Sequence, residues 1–192
     1  KTGKFSAKVK RADPSRNSPP NGAPRRTYDM AIVTTGEFHD ANGATVPAAT
    51  AVVTATMSAI QAIFDRELAV RFNVLTPVIY TNFNTDPFDP ASGLSRTQMA
   101  AQAVAANFPI GNYDIGHVFH DQDQAPAVHA GGGVAGLGVV CENASFAGVS
   151  GTGPLKAAGW SGSFSNTGNS WIRLATHEIG HQFNMQHTFN GN

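Results

Sequence analysis

Thr176-His177-Glu178-Ile179-Gly180-His181-Gln182-Phe183-Asn184-Met185-Gln186-His187 is the stretch from which the rest of the chain can be read. His177 and His181 are four residues apart, about one helical turn, so on a helix both imidazoles project from one face and reach a single ion. Glu178 stands beside the first histidine and approaches the same ion from a neighbouring angle. That placement suits a base taking a proton from metal-bound water, not a ligand. A third ligand must come from off the helix axis. Asn184 offers the bend, because Asn is the non-glycine residue that most readily takes the left-handed conformation at helix ends, and a turn there brings His187 back under the ion. Three neutral histidines leave one coordination position for water, the pattern of a catalytic zinc and not of a closed structural one.

Working outward, this helix is expected from about Ser170 to Asn184. Far upstream, Tyr28-Asp29-Met30-Ala31-Ile32-Val33 lies in a short apolar run, Thr27 to Thr35, that reads as a buried strand. Val53, Met57, Ile60, Phe64 and Leu68 recur at helical steps, which predicts an amphipathic helix from about Pro47 to Ala69. Arg71 to Tyr80 reads as a second strand, and Asp86 to Gly93 as a surface loop whose Asp86 and Asp89 are solvated. Ser95 and Gln98 form a capping box that opens a second helix reaching about Asn107. Three more strands are predicted, at Tyr113 to Phe119, Val134 to Cys141 and Phe146 to Val149. Strands alternating with helices imply an α/β or α+β domain, a mixed five-stranded twisted sheet with two long helices and the histidine-bearing helix.

Composition bounds the function. The chain has 192 residues, 41% hydrophobic and 14% charged, enough for one domain with a full apolar core and too apolar for a disordered chain. Basic and acidic residues balance at 13 each, so the total argues for neither nucleic acid nor an anionic membrane as partner. Eight of the basic side chains lie in residues 1–26, a segment ending in a Pro/Gly-rich run that cannot sustain helix or inner strand. It reads as a basic leader, propeptide or linker ahead of a domain over residues 27–192, and Arg25-Arg26 suits a processing site as well as a flexible joint. One cysteine, Cys141, excludes an internal disulfide framework and any zinc site built from several thiolates. The uncharged run from Ala41 to Phe64 approaches spanning length, but its Thr, Ser and Gln residues fit a buried helix better. His117, His120 and His129 have no short-range ligand spacing and are assigned to packing or the surface.

The pattern His-Glu-x-x-His-x-x-Asn-x-x-His resembles the elongated zinc motif of the metzincin metalloproteases. Arg26 to Glu37, Tyr113 to Phe119, Gly131 to Cys141 and His187-Thr188-Phe189-Asn190-Gly191 are similar to the reprolysin-like (adamalysin-type) branch and to its bacterial secreted members. The resemblance implies the upper subdomain of a secreted zinc endopeptidase acting on polypeptides, with His177, His181 and His187 on zinc and Glu178 as general base. It also implies an edge strand at Val134, Ala135, Gly136, Leu137 and Gly138 to which an extended substrate adds antiparallel. The glycines there equally suit a bulged or twisted edge. Asp29 and Asp114 stand where some reprolysins place carboxylates of a calcium site.

Two departures from the family pattern matter. The methionines are Met30, Met57, Met99 and Met185, all upstream of the third histidine, whereas the family carries its methionine turn downstream. The chain therefore reads as a piece ending before the lower subdomain. Related reprolysins bond the cysteine equivalent to Cys141 to that lower part; the other reading of Cys141 is a buried free thiol. Ile179, Phe183 and Met185 then need cover, and contact with another chain, poor order near His187 or an exposed apolar patch there is expected. Rival readings of the whole are a zinc-dependent peptide-binding module and an inactive precursor fragment, neither with turnover.

Overall fold

The computed structural model describes residues 24–122, 132–149 and 151–187. Most of the expected leader, and His129, lie outside them. Ten elements follow in order: β1 (Arg26–Thr34), α1 (Gly36–Ala41), α2 (Val46–Leu68), β2 (Val70–Val74), β3 (Val78–Ile79), α3 (Arg96–Asn107), β4 (Ile115–Asp121), β5 (Gly132–Ala135), β6 (Gly159–Ser163) and α4 (Gly168–Gln182). The six strands form one mixed sheet in the order β2, β1, β4, β6, β5, with β3 continuing along the edge of β1 that β2 begins. All pairings are parallel except β5 with β6. The sheet thus has the five positions expected from the sequence, occupied by six strands.

Alternation along the central strands builds two cores. Met30 and Ile32 of β1, with Ile115 and Phe119 of β4, face α2 and α4, where they meet Met57, Ile60, Phe64, Trp171 and Ile179. Ala31, Val33 and Val118 face the other way, onto α3 with Met99, Ala103 and Val104. A strand buried on both faces reads as a continuous apolar run, and Met30 to Val33 does so because helices cover both sides. The α2 helix is long and apolar enough to cross a membrane by length and composition; here Ala49, Val53, Met57, Ile60 and Phe64 turn one face of it onto the sheet. The Trp171 indole donates to Thr56 Oγ1 at 2.9 Å, tying α4 to α2 inside this layer.

Several boundaries differ from the sequence reading. The strand expected over Arg71 to Tyr80 is broken at Leu75-Thr76-Pro77, where proline brings no N–H to a ladder. Asp86 is not simply solvated: its carboxylate accepts the Gly36 and Phe88 backbone N–H groups at 2.8 and 3.0 Å. A Cβ on Gly36 would lie 2.2 Å from the Phe83 backbone nitrogen, so the turn into α1 needs glycine. Asp89 caps the short turn Pro90–Ser92 through Ala91 N–H. The capping box at Ser95 and Gln98 forms as expected. Phe146 to Val149 is not a strand; it sits in turns, and the strand next to β4 is Gly159–Ser163, whose Gly-Trp-Ser-Gly-Ser carries little hydrophobic signal. The strand expected to run to Cys141 stops at Ala135. Beyond it, Gly138 and Val140 N–H donate to the carbonyls of His181 and Gln182, so this segment caps the end of α4 instead of extending the sheet. Cys141 is exposed and in no disulfide among the described residues, contrary to the buried-thiol reading; its thiol donates to Asp114 Oδ1 at 3.8 Å, and its φ is +65°.

Candidate metal centre

α4 holds the site because its inner face is fixed. Trp171, Ala175 and Ile179 are fully buried, and truncating Ile179 to Ala should cost about 2–5 kcal/mol. With that stripe on the sheet, the opposite side of the last two turns brings His177 and His181 to the cleft beside β5. The helix ends in a Schellman arrangement: Asn184 is left-handed (φ +67°), its N–H donates to His181 O at 2.8 Å, and Met185 N–H donates to Gly180 O at 3.0 Å. A Cβ on Gly180 would lie 3.1 Å from Met185 Sδ, so the glycine makes room for the returning chain. The bend expected at Asn184 is therefore present, and it delivers His187.

The three Nε2 atoms converge. They are 2.9 Å apart for His177 and His181, 3.0 Å for His181 and His187, and 3.0 Å for His177 and His187. His181 Nδ1 lies 2.5 Å from Met185 O, where only a protonated nitrogen fits, so its Nε2 carries the lone pair in the neutral ring. With His181 Nε2 an acceptor, a cation among the three nitrogens would satisfy all of them at once, and the spacing suits ligands each about 2.0–2.1 Å from one ion. These side chains fit zinc. Among the described residues they are the one group of three or more His, Cys, Asp or Glu side chains gathered closely enough to share an ion. Burial, followed by the charges of His181 and His187, lowers the His177 pKa and favours the neutral, ligating form.

Glu178 is 5% exposed, and burial lifts its carboxyl to about 7 against the opposing influence of His181 and Arg96. It rests against β5: a Cβ on Gly133 would lie 2.1 Å from Glu178 Cγ and 2.5 Å from Oε1. The space occupied by the carboxylate exists because residue 133 has no side chain. Val134, Ala135 and Leu137 join Gly133, Gln186, Glu178 and the histidines in lining a cavity of about 400 Å³. Leu137 is 54% exposed at its rim. A larger cleft of about 510 Å³ between α2 and β2 is lined by no charged or histidine side chain among the described residues, so the chemistry lies in the smaller one.

Of the five expected substrate contacts, Val134, Ala135 and Leu137 reach the cleft. Gly136 and Gly138 have their N–H groups committed to Ala158 O and His181 O, so they have no N–H to offer an added strand. Gly133 and Gln186 were not anticipated; the triple glycine at Gly131-Gly132-Gly133 was the available signal for the first. Asp29 and Asp114 do come together, but Asp114 Oδ2 accepts Asp29 N–H at 2.9 Å and Asp29 Oδ1 accepts Asn73 Nδ2 at 2.6 Å. Their hydrogen bonds link β1 to β2 and to the residue that precedes β4, and nothing there supports calcium. The cover expected for the apolar flank is mostly internal: Ile179 is in the core, and Phe183 packs on Tyr28, Phe64 and Phe72 at centroid distances of 5.2, 5.6 and 5.9 Å. Met185 stays 37% exposed.

Comparison with curated proteins returned no match. A sequence profile of the reprolysin-like metallopeptidases of family M12B matches residues 50–188, most of the described fold and all three clustered histidines. On that match the chain belongs to the reprolysin-like M12B metallopeptidase family.

Proposed function

We propose that the protein is a zinc-dependent endopeptidase holding one Zn²⁺ on His177, His181 and His187, with Glu178 as general base. The observation that carries this reading is the convergence of three imidazole nitrogens at 2.9–3.0 Å in a cleft that also contains a buried carboxylate and a sheet edge. When bound, the ion polarises a peptide carbonyl and acidifies water. Glu178 takes the proton of the attacking water and passes it to the departing amine; its seat on Gly133 keeps the carboxylate aimed at the histidines. Among the described residues no strand lies beyond β5, so its outer edge can add an extended polypeptide, and Val134 and Leu137 supply apolar wall to its side chains. An extracellular place of work belongs to the proposal and is supported by the resemblance to secreted members of the family.

The test is cleavage of an unfolded protein by the purified protein, with and without a zinc chelator, beside Glu178→Ala. Chelator-sensitive cleavage lost in the variant supports the reading. Zinc and peptide binding without any cleavage would make the protein a binding module.

A further inference from the structure

His117 is a fully buried histidine that the peptidase chemistry does not use. It lies on β4 between Ile115 and Phe119, on the face of the sheet that packs against α4. Its Nδ1 is 2.8 Å from Gln182 Oε1 and its Nε2 is 2.9 Å from Ser161 Oγ on β6. Gln182 is fully buried too, and its Nε2 donates to Gly116 O at 2.9 Å and Lys156 O at 3.3 Å. With both amide protons committed to carbonyls, Oε1 can only accept, so His117 Nδ1 carries the proton. Nε2 then accepts from the Ser161 hydroxyl, and the ring is neutral. Gly159 leaves the space for this meeting: a Cβ there would be 2.3 Å from His117 Nδ1 and 2.5 Å from Gln182 Oε1.

The location gives the network its meaning. Gln182 is the last residue of α4 and follows His181 directly. Helix ends fray because their last carbonyls lack partners, yet this end must hold one candidate ligand and launch the turn to another. We propose that His117, Gln182 and Ser161 are positioning residues for the metal centre: they clamp the last turn of α4 into the sheet and so fix His181 and the return of the chain to His187. His177, a turn earlier, is held by the Trp171, Ala175 and Ile179 stripe and depends on the clamp least. Gly138 and Val140 grip the same turn from outside, through the carbonyls of His181 and Gln182.

The inference rests on the reading of the three histidines as zinc ligands and is independent of turnover. Two measurements test it, on Gln182→Met, His117→Phe and the milder Ser161→Ala, each held well below its own melting temperature. In hydrogen exchange on the zinc-free protein, Gln182→Met should speed exchange at the Phe183, Asn184 and Met185 amides and leave those of Trp171 to Ala175 protected. Zinc affinity by chelator competition should fall roughly ten- to hundredfold in Gln182→Met and His117→Phe, and by less in Ser161→Ala. In a His181→Ala background, Gln182→Met should cost less than in the parent, since one of the two ligands the clamp places is gone. Unchanged exchange, unchanged affinity in the folded variants, or an equal loss without His181 would each overturn the clamp. A parent protein that binds no zinc at all would overturn the ligand reading beneath it, and exchange would still decide whether the turn is clamped.

Discussion

Two sets of histidines lie within one sheet-and-helix unit and behave oppositely. His117 has a protein partner on each ring nitrogen and lies wholly inside. His177, His181 and His187 border a cleft and turn their Nε2 atoms on one another. The difference is one of unspent acceptors: where the fold consumes both nitrogens a histidine is architecture, and where it orients one nitrogen and leaves the other at a cleft, as at His181, the histidine is available as a ligand. Changes at the cleft should therefore show first in chemistry, and changes at the buried ring in stability and geometry.

The largest expected effect sharpens the cleft side. Glu178→Gln should keep one zinc per chain and lose at least 10² to 10⁴ in peptide hydrolysis, checked by elemental analysis beside a turnover assay. Near-normal turnover would make another residue the base. On the buried side, burial lowers the His117 pKa from 6.5 to about 4, against the weaker opposing effect of its Gln182 hydrogen bond. Between those values the unfolded chain takes up a proton that the folded chain refuses. Stability is thus full above about pH 6.5 and falls as pH drops towards 4, by up to about 3 kcal/mol. Urea unfolding of wild type and His117→Phe at pH 7 and pH 4.5 isolates this contribution from Glu37 and Glu178, whose pKa values burial raises and which act in the opposite sense. A histidine contributing nothing would leave the two proteins with the same pH dependence.

Gly133→Ala probes the cleft without replacing a titrating group. The added Cβ must displace Glu178, so turnover should fall roughly tenfold to a hundredfold with zinc retained, a loss of about 1.4–2.7 kcal/mol in transition-state stabilisation. The smallest effect is at the turn joining the two sides. Asn184→Ala should lose about 1 kcal/mol by denaturant unfolding for its left-handed backbone, and Asn184→Gly should lose little.

Legibility followed the range of the forces involved. The cluster of three histidines, the carboxylate beside it and the bend at Asn184 are local in sequence and readable, as were α2 from its apolar spacing, α3 from its capping box and β1 from its apolar run. What escaped was decided by distant partners. β6 shows little apolar pattern because its glycines, Gly159 and Gly162, make room for His117, Gln182 and His120. The segment after Ala135 looks like strand, yet the open carbonyls of α4 claim its N–H groups. His117 could be assigned only to packing or the surface from sequence; its partner Gln182 is 65 residues away and was invisible until the sheet brought them together.

The central claim is that the three cleft histidines share one ion, and X-ray absorption at the zinc edge tests it most directly. The account expects one zinc per chain with three imidazole nitrogens at about 2.0–2.1 Å, and loss of one nitrogen scatterer in His187→Ala. Zinc that stays well below one per chain in metal-replete protein, or a first shell unchanged by His187→Ala, would contradict it.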